Sequence, residues 1–220
     1  MEGRAVTIDK IGTTLGDPKI LASEIGPNND KQLVNVVIQA YFALRNTSIV
    51  NNTWHEDKIT RELYVQIQIY VIKNGINTIP IHQYPIFLKK SKRGRPPTID
   101  FVFRKGFIET SYLGFECKII NSNNSNSIQE YIDEGMYRFI GSKYSPHEKV
   151  GGMIGYTFNN DVSTCVNEIN IKIDKHKILN KMDCLLALNL IKGFKNLYIS
   201  KHKKGNLSES FLIYHIFMFF

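Results

Sequence analysis

Pro97-Thr98-Ile99-Asp100-Phe101-Val102-Phe103 and, shortly after it, Leu113-Gly114-Phe115-Glu116-Cys117-Lys118-Ile119-Ile120 decide how this chain is read. Both segments alternate as strands do, with successive side chains on opposite faces. In the first, Ile99, Phe101 and Phe103 are expected on one face, which leaves Asp100 on the other. In the second, Leu113, Phe115, Cys117 and Ile119 form one face and Glu116 and Lys118 stand together on the opposite one. A turn around Lys105-Gly106 separates the two. Pairing them brings Asp100, Glu116 and Lys118 to a common spot.

Outward from these strands the pattern changes period. The polar loop Asn121 to Asn126 leads to a helix opened by Ser127, with Glu130 completing a capping box and Ile128, Ile132, Gly135 and Phe139 facing inward. A strand is expected over Met153 to Phe158 and a helix over Asp161 to about Ile173, with Val162, Val166, Ile169 and Ile173 inward. A short helix near Lys181 to Leu190 follows. Asn196 to His202 and Phe211 to Phe219 then read as a closing hairpin. Upstream, Leu33, Val36, Val37, Ala40, Tyr41 and Leu44 mark one helix, and Ile59, Leu63, Ile67 and Tyr70 a second. A β-prone piece spans Ile79 to Leu88, and residues 1–28 form a loosely organised lead-in. With no internal repeat and no dividing linker, residues 1–220 read as one α/β domain with a mixed sheet.

Two carboxylates a few ångströms apart repel, and a divalent cation relieves that cost. One or two carboxylates completed by water suit magnesium, with manganese as an alternative. Such a metal polarises a phosphoryl oxygen and acidifies a bound water. Lys118 beside it would position that water and stabilise negative charge first, and move a proton second, because nearby carboxylates oppose its deprotonation. The bland alternative is that Asp100 ends a turn and Glu116 and Lys118 form a solvated strand face.

Pro97-Thr98-Ile99-Asp100 with Phe115-Glu116-Cys117-Lys118, followed by a helix, resembles the PD-(D/E)XK motif of restriction-endonuclease-like nucleases. Pro97 stands three residues before Asp100, where the motif has it directly ahead. The resemblance covers roughly residues 56–158 as a nuclease core, with the hairpin over 196–220 decorating it. It implies a mixed four-stranded sheet flanked by helices and magnesium-dependent phosphodiester cleavage. It implies Asp100 and Glu116 as metal ligands aided by the Cys117 carbonyl, and an acidic residue from an early helix. Glu56, one turn before Ile59, suits that role as an outer or second-metal ligand. Its alternative is to complement the helix dipole together with Asp57. DNA is favoured over RNA on the same grounds, and the arrangement is similar to nucleases of bacterial antiphage-defence loci. The rival reading is a catalytically silent subunit that binds nucleic acid or a partner.

Lysine and arginine outnumber acidic residues 28 to 20, a formal charge of +8 that favours a polyanionic partner. The basic turn Lys92-Arg93-Gly94-Arg95-Pro96 is similar to an AT-hook core, although Lys92, Arg93 and Arg95 suit plain phosphate contact better. Tyr131, Glu134 and Arg138 align on one helix face. Tyr131 is expected at nucleic acid, and Arg138 either holds a phosphate or pairs with Glu134. Gly151-Gly152-Met153-Ile154-Gly155 lacks the Gly-Lys-Ser/Thr ending of a phosphate loop and reads as a strand entry packed closely on a helix. His202 and His215 read as core or surface histidines. Cys117, Cys165 and Cys184 suggest neither a disulfide framework nor a thiolate zinc site. No signal-peptide order opens the chain, and the apolar stretch Phe211 to Phe220 is about half a membrane span. A soluble, cytoplasmic protein is expected. The sequence leaves a regulatory protein partner and self-association open.

Overall fold

Two amphipathic helices cover one face of the sheet. In the computed structural model, which describes residues 27–86, 96–104, 112–141, 144, 148–159, 161–176, 179, 181–204 and 210–220, these are α1 (Pro27–Asn46) and α2 (Glu56–Lys73). The expected stripe of α1 is buried, and Val34 and Ile38 are buried with it, so the helix is enclosed on more than one side. Its Tyr41 hydroxyl donates to the Phe219 carbonyl at 2.7 Å. On α2, Ile59, Leu63 and Ile67 face the core as their spacing requires. The lead-in is shorter than expected, because residues 27 and 28 already belong to α1; the rest of it lies outside the described residues.

Seven strands follow: β1 (Ile79–Pro85), β2 (Thr98–Arg104), β3 (Tyr112–Ile119), β4 (Val150–Thr157), β5 (Lys181–Ala187), β6 (Leu197–Lys203) and β7 (Ser210–Phe219). They form a mixed sheet in the order β1-β2-β3-β4-β7-β6-β5. β3, β4 and β7 are parallel to one another, and antiparallel pairs flank them on either side. The opposite face carries α3 (Ser125–Glu130), a π-helical turn (Tyr131–Met136), α4 (Tyr137–Ile140) and α5 (Val162–Lys175). Each helical layer closes its own apolar cluster on the sheet. The result is a mixed sheet flanked by helices, as expected in outline, with seven strands where four were implied.

Three local expectations are corrected. Residues 181–187 form β5, since an edge strand held by main-chain bonds to β6 tolerates the exposed Met182 and Leu186 that a helical stripe would have buried. The cap of α3 is Asn124, whose Oδ1 accepts from the Asn126 N–H at 3.0 Å, three positions ahead of the Ser127 cap that the capping box with Glu130 implied. The closing hairpin forms, but β7 pairs along its length with β4, so it builds the sheet's middle and is no decoration.

Glycines let the middle of the sheet close. A Cβ at Gly152 would overlap the Phe115 ring of β3, and one at Gly151 would lie 2.8 Å from Phe139 of α4. The close approach of β4 to a helix is therefore as expected, with a neighbouring strand's ring added. Further along, Tyr131, His215, Ser200 and His202 form a fully buried chain. The His202 Nδ1–H donates to the Leu179 carbonyl at 2.9 Å, so its Nε2 accepts from Ser200 Oγ at 2.8 Å. Ser200 in turn accepts from His215 Nε2 at 2.8 Å, and His215 Nδ1 accepts from the Tyr131 hydroxyl at 2.8 Å. Both histidines are core residues.

Candidate active site

The β2–β3 ladder runs from Arg104 opposite Tyr112 to Phe101 opposite Phe115 and stops there. Just beyond, the Asp100 carboxylate replaces a ladder carbonyl and accepts the Cys117 N–H at 2.7 Å. The strand rotates where the ladder ends. Ile99 consequently leaves the face of Phe101 and Phe103 and packs in the other apolar cluster with Val102, its tip over the bare Cα of Gly114. The expectation that all three share a face fails because the ladders on both sides of β2 are irregular at Asp100: β3 pairs no further than Phe101, and on the β1 side Gln83, at φ 48, interrupts the run between His82–Phe101 and Tyr84–Ile99. The divergence opens the gap in which the polar groups meet.

Glu116 points into that gap and is 2 % exposed. Its Oε1 accepts from Arg138 Nη1 at 2.7 Å and lies 3.8 Å from Lys118 Nζ. Its Oε2 is buried with no hydrogen-bond partner among the described residues. Burial, then the charge of Asp100, raises the Glu116 pKa to about 8 against the pull of Lys118 and Arg138. Burial also raises Asp100 to about 6, opposed by the Cys117 N–H and Lys118. Both carboxyls are thus held where ionising them is expensive.

Glu56 is the first residue of α2, and it faces the same gap. Its Oε1 accepts from Lys118 Nζ at 2.8 Å and its Oε2 from the Ile119 N–H at 3.1 Å. Its side chain therefore does more than complement the helix dipole. Lys118 Nζ also donates to the Cys117 carbonyl at 2.9 Å. Burial disfavours its charge, yet the carboxylates of Glu56, Glu116 and Asp100 together outweigh that, and the Lys118 pKa is raised. The predicted quartet of Glu56, Asp100, Glu116 and Lys118 is brought together.

Arg138 divides its guanidinium among three groups. Besides Glu116, Nη1 donates to the Tyr144 hydroxyl at 3.0 Å and Nη2 lies 3.6 Å from exposed Glu134. Tyr144 passes its own proton to the Thr98 carbonyl at 2.8 Å, bracing the start of β2. Sequence reasoning gave Tyr144 no role, because nothing local signals a contact across so many residues. Tyr131 is corrected: it is fully buried on His215 and cannot meet a strand of nucleic acid. The π turn that begins at Tyr131 inserts about one residue, which rotates it away from the face it would share with Arg138 in an α-helix. Lys92, Arg93 and Arg95 lie outside the described residues.

Does this donor set suit magnesium? The orphaned Glu116 oxygen, the Asp100 carboxylate and the Cys117 carbonyl, which also accepts from Lys118, are hard oxygen donors around one gap. Among the described residues no three His, Cys, Asp or Glu side chains converge to hold a metal by themselves. Two carboxylates and a carbonyl completed by water match magnesium's preference, and Glu56 sits outside, through Lys118. The residues fit. Among the described residues no helix is long and apolar enough to cross a membrane, and Cys117, Cys165 and Cys184 form no disulfide. The chain matches no family model, no curated protein and no solved structure.

Proposed function

We propose that this chain is a magnesium- or manganese-dependent nuclease that hydrolyses phosphodiester bonds, with DNA the favoured substrate. The observation that carries the reading is Glu116: a buried carboxylate with one oxygen unpartnered, beside Asp100 and the Cys117 carbonyl. A cation is one way to satisfy such an oxygen, and two neighbouring carboxylates favour it. When bound, a divalent cation supplies the Lewis acidity that polarises a phosphoryl oxygen and acidifies water. Asp100, Glu116 and the Cys117 carbonyl would hold it. Lys118, kept cationic by Glu56, orients the attacking water and stabilises charge on the phosphoryl oxygens. Arg138, braced by Tyr144, fixes the Glu116 carboxylate.

A second reading keeps the scaffold without turnover, as a subunit that binds nucleic acid or a protein partner. The observation in its favour is that Arg138 and Lys118 already partly neutralise Glu116. Supercoiled plasmid, single-stranded DNA and RNA incubated with magnesium, manganese and EDTA in parallel separate the two. Metal-dependent nicking or shortening is expected, lost in EDTA. Failure to cut any substrate with either metal would overturn the nuclease reading. The resemblance to antiphage-defence nucleases makes invading DNA the first substrate class to try.

A further inference from the structure

A lysine just past β6 is folded inward. Lys204 is 1 % exposed, and its Nζ donates to the Tyr144 carbonyl at 3.2 Å and lies 4.2 Å over the Phe211 ring. Burial lowers its pKa to about 8 against the charge of Glu148, so the ammonium is held there at a cost to stability. A methionine would bury a similar stem without that cost. We propose that Lys204 is a positioning residue of the metal-binding gap, acting through Tyr144, whose hydroxyl joins the two strands that carry Asp100 and Glu116. As a statement about a bound cation this rests on the nuclease reading; as a statement about how Arg138 is held it stands alone.

The hydroxyl stands beyond the last pair of the β2–β3 ladder, Phe101 opposite Phe115. There Tyr144 donates to the carbonyl of Thr98, two residues before Asp100, at 2.8 Å and accepts from Arg138 Nη1 at 3.0 Å. The same nitrogen donates to Glu116 Oε1 at 2.7 Å. One oxygen atom thus ties both arms of the gap. Asp100 Oδ2 is itself engaged by the Cys117 N–H at 2.7 Å. Each carboxylate has one oxygen taken by the protein, which leaves Glu116 Oε2, without a partner among the described residues, for a cation. Single carboxylate oxygens suit small octahedral ions, whereas calcium gathers more oxygens and often takes both from one carboxylate.

Tyr144 is fixed from several sides. Its N–H donates to the Arg138 carbonyl at 2.9 Å, and its ring meets Phe139 edge-on at 5.5 Å. Phe139 stacks on Phe211 at 6.1 Å, and Lys204 lies over Phe211, so the contacts close into a ring. A hydroxyl placed by such a ring is set before Arg138 reaches it. Arg138 has a competing partner: exposed Glu134 already lies 3.6 Å from its Nη2. Were Tyr144 loose, the guanidinium could turn to Glu134 and release Glu116 Oε1.

The test uses the full chain, metal-free, with isotope-labelled arginine, and reads rotation of the Arg138 guanidinium by NMR, its signal identified by loss in Arg138→Lys. We expect rotation at least about tenfold slower than for exposed Arg61, and near the Arg61 rate in both Lys204→Met and Tyr144→Phe. The double variant should rotate no faster than Tyr144→Phe alone, since Lys204 acts through that hydroxyl. Lys204→Leu replaces Lys204→Met if the latter fails to fold by thermal melt. A guanidinium as slow in the Lys204 variant as in wild type, or a Lys204 effect that persists undiminished beside Tyr144→Phe, overturns the proposal. A lysine that merely fills the core would move the melt and leave Arg138 slow. Manganese and calcium are then titrated calorimetrically without nucleic acid. Wild type should prefer manganese, and each variant should shrink that preference by roughly threefold or more as Glu116 gains a second free oxygen. Wild-type protein that binds neither cation yet keeps its Lys204-dependent Arg138 sinks the nuclease reading and leaves the brace standing. Metal-dependent cleavage, with a cation preference that Lys204→Met leaves unchanged, does the reverse.

Discussion

Two buried polar clusters lie on the same sheet and differ in one respect. Around β7 the chain Tyr131–His215–Ser200–His202–Leu179 satisfies each of its linking donors and acceptors, and each link has one direction. Around the β2–β3 divergence Glu116 has an oxygen without a hydrogen-bond partner among the described residues, and Asp100 and Glu116 oppose one another. A closed network fixes a core; an open one costs stability until something arrives to complete it.

The largest effect expected from this contrast is on cleavage. Asp100→Ala, Glu116→Ala and Lys118→Ala should each lower the rate by roughly a thousandfold or more, because each removes part of the charge-stabilising apparatus of the proposed site. Their melting temperatures should stay near the parent's. Full activity in any one of them breaks the contrast.

The closed cluster should respond in the opposite way. His215→Ala leaves the Tyr131 hydroxyl buried without a partner, takes one of the two hydrogen bonds of Ser200 and opens a cavity, at about 2–4 kcal/mol, or a fall in Tm of roughly 4–16 °C. At a temperature where the variant is folded, its cleavage rate should match the parent's. A slowed reaction in folded protein would show that the histidine chain serves the chemistry.

The clusters should also differ in their response to pH. Burial lowers His202 to about 4, so the unfolded chain binds the extra proton, and stability should be lost as pH falls from about 6.5 towards 4. Glu116, raised to about 8, has the reverse linkage. The folded, metal-free protein binds the extra proton, and stability falls as pH rises from about 4.5 to 8. Glu116→Gln should therefore stabilise the protein in EDTA at pH 8 by about 1–2 kcal/mol and have little effect at pH 5. Urea denaturation at the two pH values checks both signs, and stabilisation at pH 5 alone would contradict the burial argument.

The smallest effect concerns Glu56, which reaches the gap through Lys118. Glu56→Gln should raise the magnesium concentration for half-maximal cleavage by about tenfold. Glu62→Gln, on the same helix, should leave it unchanged. Equal small shifts in the two would reduce Glu56 to a helix-end charge.

Alternation alone found Asp100, Glu116 and Lys118, since a strand's period of two puts them off the apolar face, and the stripe of α2 found Glu56. The same reasoning lost Ile99, because it assumed that regular alternation continued past Asp100, and lost Tyr131, because it assumed that 3.6 residues per turn held through Gly135. Tyr144 carried no signal at all. Its bonds to Arg138 and to Thr98 depend on the packing of distant segments, which no local pattern encodes.

What the sequence determined by itself was the set of elements with strong periods and the polar residues that interrupt them: α1, α2, β2, β3, α5 and the final hairpin. Period is a property of neighbouring residues, so it survives without the rest of the fold. Tertiary structure alone decided that β7 enters the middle of the sheet, that β2 peels from β3 at Phe101, and that Arg138 turns inward to Glu116. Each of these joins segments far apart along the chain, and which of many apolar faces meet is settled by global packing, not by any one stretch.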